Sequence, residues 1–549
     1  MTPSIPFTSS PSGPTSTSPT AMPGISLGLQ RIARLLTHLK SPQCAVPVIH
    51  IAGTNGKGSV SAYISSILSS ANSPLRVGRF NSPHMVDEWD CIRLPRSANT
   101  VPARSGSDPF LSPVSERLFR STKREVEQLS LSHDVGATSF EILTATAYTI
   151  FARAQPSLDV AVVEVGMGGA EDATNVVPAE KTLLSIVTAV DLDHQKFLGD
   201  TVAEIAAVKG GITRKGGDVV LAQQAHPEAV EAVKRLAGER KARVWEAAVG
   251  TLLPSSSSPS SSTSSDDLPS PPLVSLPLLP LTIPPSLPSH ALAPSPGTSS
   301  TITTPLPLPG SYQLSNSAVA CLSAQLLRSL PRTKALVPAL ERVTDKAIAE
   351  GIERTTWEGR LSWTTLPCPL PPTFSSSSSA FASPTPSAPV HSRRLLLDGA
   401  HNPASASLLS NYLLSLPPHL KPSTLIFALS SPRLPSSVLP PLLKEGTGVK
   451  RVVCTGFGKV EGMEWVRSVE SGELADGVKE VVEEMGRRGE VEVLQAESAE
   501  EAMRLLDRLD LDGQKERGST LVAGSLYLVA DVLRTQRRLE EGRMEDAPS

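Results

Sequence analysis

The stretch His50-Ile51-Ala52-Gly53-Thr54-Asn55-Gly56-Lys57-Gly58-Ser59 decides how the rest of the chain is read. Residues 46–51 are a largely β-branched run that predicts a buried strand, and residues 60–68 predict a helix. Strand, glycine turn and helix in that order aim backbone N–H groups and a helix N-terminus at one point, which is how proteins cradle phosphate. Gly53, Gly56 and Gly58 let the backbone come close to an anion, and Lys57 supplies a mobile positive charge. The pattern departs from G-x-x-x-x-G-K-[ST] by Gly58, inserted between the lysine and the hydroxyl residue. An ordinary tight turn is the plain alternative. Lysine, spacing and context together favour a nucleoside triphosphate.

Working outward, 549 residues allow two or three domains with ample core. The 50 prolines are concentrated rather than spread, which marks separate low-complexity segments inside a folded chain. A net charge of −3 argues against a nucleic-acid footprint or an anionic membrane surface. Cys44, Cys91, Cys321, Cys368 and Cys454 are scattered with no C-x-x-C pair, which suits a reducing compartment and no structural zinc. No apolar run reaches membrane-spanning length. Residues 1–23 lack Lys and Arg and an apolar core, so they resemble neither a signal peptide nor a mitochondrial presequence. The expectation is a cytoplasmic protein that engages no membrane and no nucleic acid.

Three Ser/Pro-rich segments are expected to be disordered: residues 1–23, 254–309 and 367–389. Their composition buries too little apolar surface to offset ordering entropy. The two internal segments read as surface insertions, and residues 96–113 as a smaller one. Between them strands alternate with helices, which predicts an α/β fold with parallel sheets covered on both faces. Strands are expected at 160–165, 183–190 and 219–222, with helices at 25–39, 140–153, 202–209 and 227–236. A second alternation places strands at 394–397, 424–428, 451–454, 491–494 and 520–523. Its helices are expected near 404–414, 498–509 and 526–537. The predicted architecture is an N-terminal phosphate-loop ATPase domain with a mainly parallel sheet (24–350) and a smaller C-terminal doubly wound α/β domain (357–540). Ligands of open α/β sheets sit at strand C-terminal ends, so a cleft between the domains is the expected site.

Polar residues at strand ends carry the chemistry. Glu164 ends an apolar strand just before Gly166-Met167-Gly168-Gly169. Buried there it reads either as half of a structural ion pair or as a magnesium ligand beside the phosphate loop. Asp193-His194 follows another strand, where a single histidine is either structural or a ligand. Lys209, before Gly210-Gly211, reads by itself as a solvated lysine. In the second domain Asp398 and His401 lie in Leu397-Asp398-Gly399-Ala400-His401-Asn402-Pro403, a strand running into a polar turn, with Asn402 also a fitting helix cap. Arg360, after the hinge at 345–357, is placed to clamp a phosphate from the second domain. No Ser-His-Asp elbow, H-E-x-x-H or strand-following G-x-G-x-x-G is present.

Together these stretches resemble the folylpolyglutamate synthase and dihydrofolate synthase family, relatives of the Mur peptide ligases. The resemblance rests on HIAGTNGKGSV, NSPHMV, TSFEILTATAY, VVEVGMGG with DATNVV, DLDH with FLGDTVAEIA, KGGI, GRL, LLDGAHNP and AGSLYLVADVL, in order from about residue 25 to 536. GLQRIARLLTHLKSPQ and FGKVEGMEW point to the fungal dihydrofolate synthase branch. The resemblance implies an ATP-dependent amide ligase that joins L-glutamate to dihydropteroate through an acyl phosphate. Folylpolyglutamate synthase, or an enzyme with both activities on reduced folates, is the nearest alternative. A phosphate-loop kinase is the alternative of another class, although a kinase has no use for the second α/β block. Carried over, Gly53, Thr54, Asn55, Gly56, Lys57, Gly58 and Ser59 cradle the phosphates. Ser82 and Glu164 hold one Mg2+, and Glu164 with His194 a second. Lys209 matches a lysine carbamylated in many members, and Asn316, Arg360, Asp398 and His401 contact nucleotide. A monomer is expected.

Departures from the family pattern bear on substrate. Gly169-Ala170-Glu171-Asp172-Ala173-Thr174-Asn175 stands where G-G-R-L-D-A-T-N is usual. Trp89-Asp90-Cys91-Ile92-Arg93 stands where polyglutamate synthases tend to show R-E-R-I-R. Both changes remove arginines suited to an anionic pterin–glutamate, consistent with dihydropteroate.

Overall fold

The computed structural model describes residues 28–71, 74–101, 107–254, 270–278, 300–368, 391–460, 466–511 and 519–545. The chain folds as two α/β bodies. In the first, an eight-stranded sheet has the order β4-β3-β2-β5-β1-β6-β7-β8. Its strands are β1 Val48–Ala52, β2 Val77–Phe80, β3 Ile92–Pro95, β4 Leu111–Pro113, β5 Val160–Glu164, β6 Thr182–Val187, β7 Asp218–Leu221 and β8 Arg243–Glu246. All neighbours pair in parallel except β2–β3 and β3–β4. β1 is buried at every position between β5 and β6, which explains its largely apolar and β-branched character; the one polar residue, His50, is paired with the Thr174 hydroxyl at 2.8 Å. Helix Lys57–Ser69 packs on one face with Gln313–Ser329 and Asp345–Glu353, and helix Ser139–Arg153 packs on the other.

The second body carries a six-stranded sheet of order β12-β13-β17-β14-β15-β16. These are β12 Ser362–Cys368, β13 His391–Leu397, β14 Pro422–Phe427, β15 Arg451–Cys454, β16 Glu492–Gln495 and β17 Ser519–Ala523. Apart from the antiparallel β12–β13 edge, pairing is parallel. Helices Pro403–Ser415 and Ser471–Glu484 cover one face; Ala499–Leu511 and Leu526–Glu545 cover the other. The predicted α/β class with a second doubly wound sheet is what the structure has.

Two expectations need correction. Residues 254–309 are not wholly an inert insertion. β9 Thr251–Leu252, β10 Leu273–Pro277 and β11 Thr301–Pro305 form an antiparallel three-stranded sheet. Val274, Leu276, Leu278, Ile302, Leu306 and Leu308 are buried in the core around helices Lys57–Ser69 and Gln313–Ser329. Alternation at period 2 in Leu273-Val274-Ser275-Leu276 drives this, one face apolar and one open, despite the Ser/Pro background. Residues 255–269 and 279–299 lie outside the described residues. Nor are residues 96–113 simply an insertion: they contribute β4, and Asp108 forms a buried ion pair with Arg79 at 3.1 Å. Of the segment 367–389, Pro367 and Cys368 belong to β12, and the rest lies outside the described residues, as does 1–23. No helix among the described residues is long and apolar enough to cross a membrane.

Candidate active site

β1, β5 and β6 end at one sheet edge, and the loops that follow them converge there. The turn after β1 is held by its own domain: Thr54 and Asn55 N–H groups donate to the Ala189 carbonyl at 2.9 and 3.1 Å, beyond the end of β6. Gly56 caps helix Lys57–Ser69 at φ 91°, a left-handed conformation that favours glycine. Asn316 packs directly against Gly56, its Nδ2 donating to Gln313 Oε1 at 3.0 Å, while Gln313 Nε2 donates to Ser59 Oγ at 3.2 Å. The inserted Gly58 has a packing reason. A Cβ there would lie 2.5 Å from the Trp357 ring, which belongs to the segment joining the two domains.

Lys57 Nζ donates to the Gly53 and Thr54 carbonyls at 3.0 and 3.1 Å, folded back along its own loop. Lys209 is not the solvated lysine its sequence context suggests. It is 2 % exposed, and its Nζ donates to the same Gly53 carbonyl at 3.0 Å from behind the loop. Burial, reinforced by the charge of Lys57, brings its amine down to about 7. Glu164, the last residue of β5, is buried and accepts from Asn81 Nδ2 at 2.6 Å. Among the described residues it makes no ion pair, so the structural salt-bridge alternative does not describe it. Burial raises its carboxyl, opposed chiefly by Lys57. Next to Asn81, Ser82 has a buried Oγ with no hydrogen-bond partner. His194 precedes a short helix at φ 50°, with its ring 3.6 Å from Asp193 and half-exposed; burial lowers its pKa.

From the second domain, Arg360, Asp398 and His401 face these loops across one cleft of about 950 Å³. Asp398 is fully engaged: its two oxygens accept from the Leu361 and Ala400 N–H groups at 2.9 and 2.8 Å. Burial raises its pKa, with Arg360 opposing. His401 Nδ1 lies 2.7 Å from the Gly399 carbonyl, so Nδ1 carries the proton and Nε2 presents its lone pair. Burial, with Arg433, takes this imidazole down to about 4. Asn402 caps helix Pro403–Ser415 through Ser405 N–H, the structural reading of that residue. Thr54, Asn55, Gly56, Lys57, Gly58, Ser59, Ser82, Glu164, His194, Asn316, Arg360, Asp398 and His401 all line the cleft; Gly53 and Lys209 stand directly behind it. Asn81, Trp357, Arg433 and Tyr527 belong to the site region without having been singled out from sequence. Asn81 and Tyr527 had a signal, as residues of NSPHMV and AGSLYLVADVL; Trp357 and Arg433 gain their place only through the domain arrangement.

The departing segment also has a structural account. Asp172 accepts from Met167 N–H at 2.9 Å and from Thr174 N–H at 2.9 Å, which fixes the turn. Ala170 packs 2.5 Å from where a Cβ on Gly211 would lie, so the two small residues fit each other. Glu171 lines the cleft.

The donors suit a hard divalent cation. An orphaned buried hydroxyl at Ser82 and a buried carboxylate at Glu164 supply oxygen ligands. Among the described residues no group of three or more His, Cys, Asp or Glu forms an all-protein cage. A partial oxygen shell completed by phosphate and water is how Mg2+ is usually held.

The family model for the C-terminal domain of dihydrofolate synthetase matches residues 387–535. The chain is similar to the dihydrofolate synthetase of Saccharomyces cerevisiae, 28% identical over 516 residues that cover 93% of this chain and 98% of that one. It is 29% identical over 514 residues to the probable dihydrofolate synthetase of Schizosaccharomyces pombe, again covering 93% and 98%. Among solved structures, Mycobacterium tuberculosis folylpolyglutamate synthase complexed with ADP and AMPPCP aligns with a TM-score of 0.62 at 24% identity, covering 93% of this chain and 95% of that one. Escherichia coli FolC in complex with DHPP and ADP aligns at 0.61 and 23% identity, covering 94% and 95%. With matching folds over nearly the whole length and fungal relatives aligned end to end, the chain is similar throughout to the dihydrofolate synthetases and folylpolyglutamate synthases.

Proposed function

We propose that this protein is an ATP-dependent ligase that joins L-glutamate to 7,8-dihydropteroate, giving dihydrofolate. The observation that carries the reading is the single cleft in which the phosphate loop and Glu164 of one domain face Arg360 and His401 of the other. Relatives aligned over their full length are dihydrofolate synthetases, and solved neighbours hold ADP, AMPPNP and Mn.

The N–H groups of residues 53–59 and the helix dipole behind them bind the phosphates, and Lys57 swings from its carbonyl partners to the outer phosphate. Ser82 and Glu164 would hold a magnesium ion, with His194 at a second position; bound there, the metal neutralises charge on the transferring phosphoryl group. Arg360 meets that charge from the opposite side. Transfer to the pterin substrate's carboxylate gives an acyl phosphate, and the glutamate amine then displaces phosphate. A neutral His401 offers Nε2 as an acceptor close to this chemistry without adding charge. Closure of the two domains excludes water, which protects the acyl phosphate from hydrolysis. Lys209, with its amine near 7, is uncharged often enough at neutral pH to add CO2, and a carbamate there would place a carboxylate behind the loop.

Dihydropteroate is favoured over folates because Ala170 and Glu171 stand where the family has an arginine, and Glu171 lines the cleft. A second reading, both activities in one enzyme, has support in a 36% identical Bacillus subtilis relative named dihydrofolate synthase/folylpolyglutamate synthase, aligned over 41% of this chain and 48% of that one. Purified protein with ATP, Mg2+ and L-glutamate, given dihydropteroate or tetrahydrofolate, separates the two by product mass. Dihydrofolate from the first and no glutamylated product from the second is the expected result; glutamate addition to tetrahydrofolate overturns the exclusive assignment.

A further inference from the structure

The loop that follows Ser82 leaves its own domain. It departs from β2 and returns at Cys91, where Asn81 N–H donates to the Cys91 carbonyl at 2.9 Å. Between these anchors Val86 is buried in the second domain's core beside Leu397, Val529 and Val532. Met85 packs against Gly359, where a Cβ would come within 2.6 Å of its Cε. The last helix grips the loop by charge as well. Arg534 Nη2 donates to the Val86 carbonyl at 2.8 Å. Arg537 donates to Asp87 Oδ2 at 3.1 Å and to Asp90 Oδ2 at 3.0 Å, and Asp90 itself accepts from the Val86 and Asp87 N–H groups. Burial alone would raise the Asp90 carboxyl, yet Arg537 and Arg93 outweigh it and hold it below the ordinary range. This is a charged contact in a nearly dry setting, where removing one partner is costly.

We infer that Arg537 is a positioning residue for catalysis: through Asp90 it ties the Ser82 loop to the C-terminal domain, so that docking of the two domains and placement of the Ser82 hydroxyl beside Glu164 are one event. Asp90 keeps the acid of the R-E-R-I-R pattern, between Trp89 and Cys91 where this chain lacks the arginines, and that acid is engaged in an interdomain contact. The inference rests on the metal-ligand reading of Ser82 given above.

The test measures Mn2+ binding by electron paramagnetic resonance in the presence of a non-hydrolysable ATP analogue, alongside steady-state kinetics and thermal unfolding. Arg537→Gln should weaken Mn2+ binding about tenfold and lower kcat with little change in the affinity for nucleotide alone. Asp90→Asn should act in the same direction, and the double variant should be no worse than Arg537→Gln alone, because the Asp90 contact is already lost there. Arg537→Lys, which keeps the charge and the fold, should recover most of the Mn2+ affinity. Ser82→Ala should lose it. If Arg537→Gln binds Mn2+ as the wild type does while Ser82→Ala does not, the positioning role is overturned and the Ser82 assignment stands. If Ser82→Ala binds Mn2+ normally, the ligand reading itself fails, and this inference with it.

Discussion

The two domains bring polar groups to the same cleft by opposite means. In the first domain the atoms that stabilise the fold are not those that face the ligand. Its core is apolar, and the phosphate loop is held by main-chain bonds to Ala189 and from behind by Lys209, while Lys57 bonds only carbonyls of its own loop and the Ser82 hydroxyl is unpartnered. In the second domain one residue does both tasks. Asp398 closes the turn with both of its oxygens, and in doing so sets Leu361, next to Arg360, and Ala400, next to His401. Stability and ligand chemistry are therefore separable in the first domain and fused in the second.

The comparison can be broken in four ways. Replacing residues 254–309 with a Gly/Ser linker should cause the largest loss of stability. It removes six buried apolar side chains, worth roughly 1.5–3 kcal/mol each, from the core of the first domain. Replacing only residues 279–299 should leave unfolding and turnover near wild type, since loop closure changes by only about 1 kcal/mol. Thermal unfolding of the two variants decides; equal stability would show that β10 and β11 carry no load. Next, Lys57→Ala should cut kcat by roughly 10²–10³ with the unfolding temperature little changed, since the bonds it loses in the free protein are only to carbonyls of its own loop. A drop in melting temperature of the same rank would deny the separation. Asp398→Ala should instead lower both together, with about 1–3 kcal/mol of stability lost through the two orphaned N–H groups. Loss of rate without loss of stability would remove the contrast.

The smallest effect is electrostatic. In the unfolded chain Lys209 keeps its proton up to about 10.5, whereas in the folded protein it gives it up at about 7. Between these values the unfolded state binds more protons, so this lysine makes stability rise with pH across that window. Below about 7 its penalty is present in full. Lys209→Met in bicarbonate-free buffer should flatten the rise in melting temperature between pH 7 and 10. An unchanged slope would mean that the amine is not held in a dry site.

Where the sequence could be read, the reason is physical. β1, β5 and β17 are short apolar runs buried on both sides, and β15 was expected at 451–454 and lies at Arg451–Cys454. Helix Gln313–Ser329 was missed because it is buried around nearly its whole circumference and shows no amphipathic period. β10 and β11 were missed because composition outweighed a short alternation. The cleft residues were legible where a motif places them at a strand end, as with Glu164, Asp398 and His401. What pairs with them was not. No local pattern reveals that Lys209 would be buried behind Gly53, or that Arg537 would reach Asp90 across more than four hundred residues.

The contact between Gly58 and Trp357 has a further consequence. The indole lies against the first turn of the phosphate-loop helix, and its ring also carries the Arg79 guanidinium at 5.2 Å. An aromatic chromophore is thereby wedged between the nucleotide cradle and the hinge, beside a fixed positive charge. Any event that shifts the cradle relative to the hinge changes the field at that ring, and with it the colour of its emission. Against the background of the four other tryptophans, the emission of Trp357 is therefore expected to report closure without an attached dye.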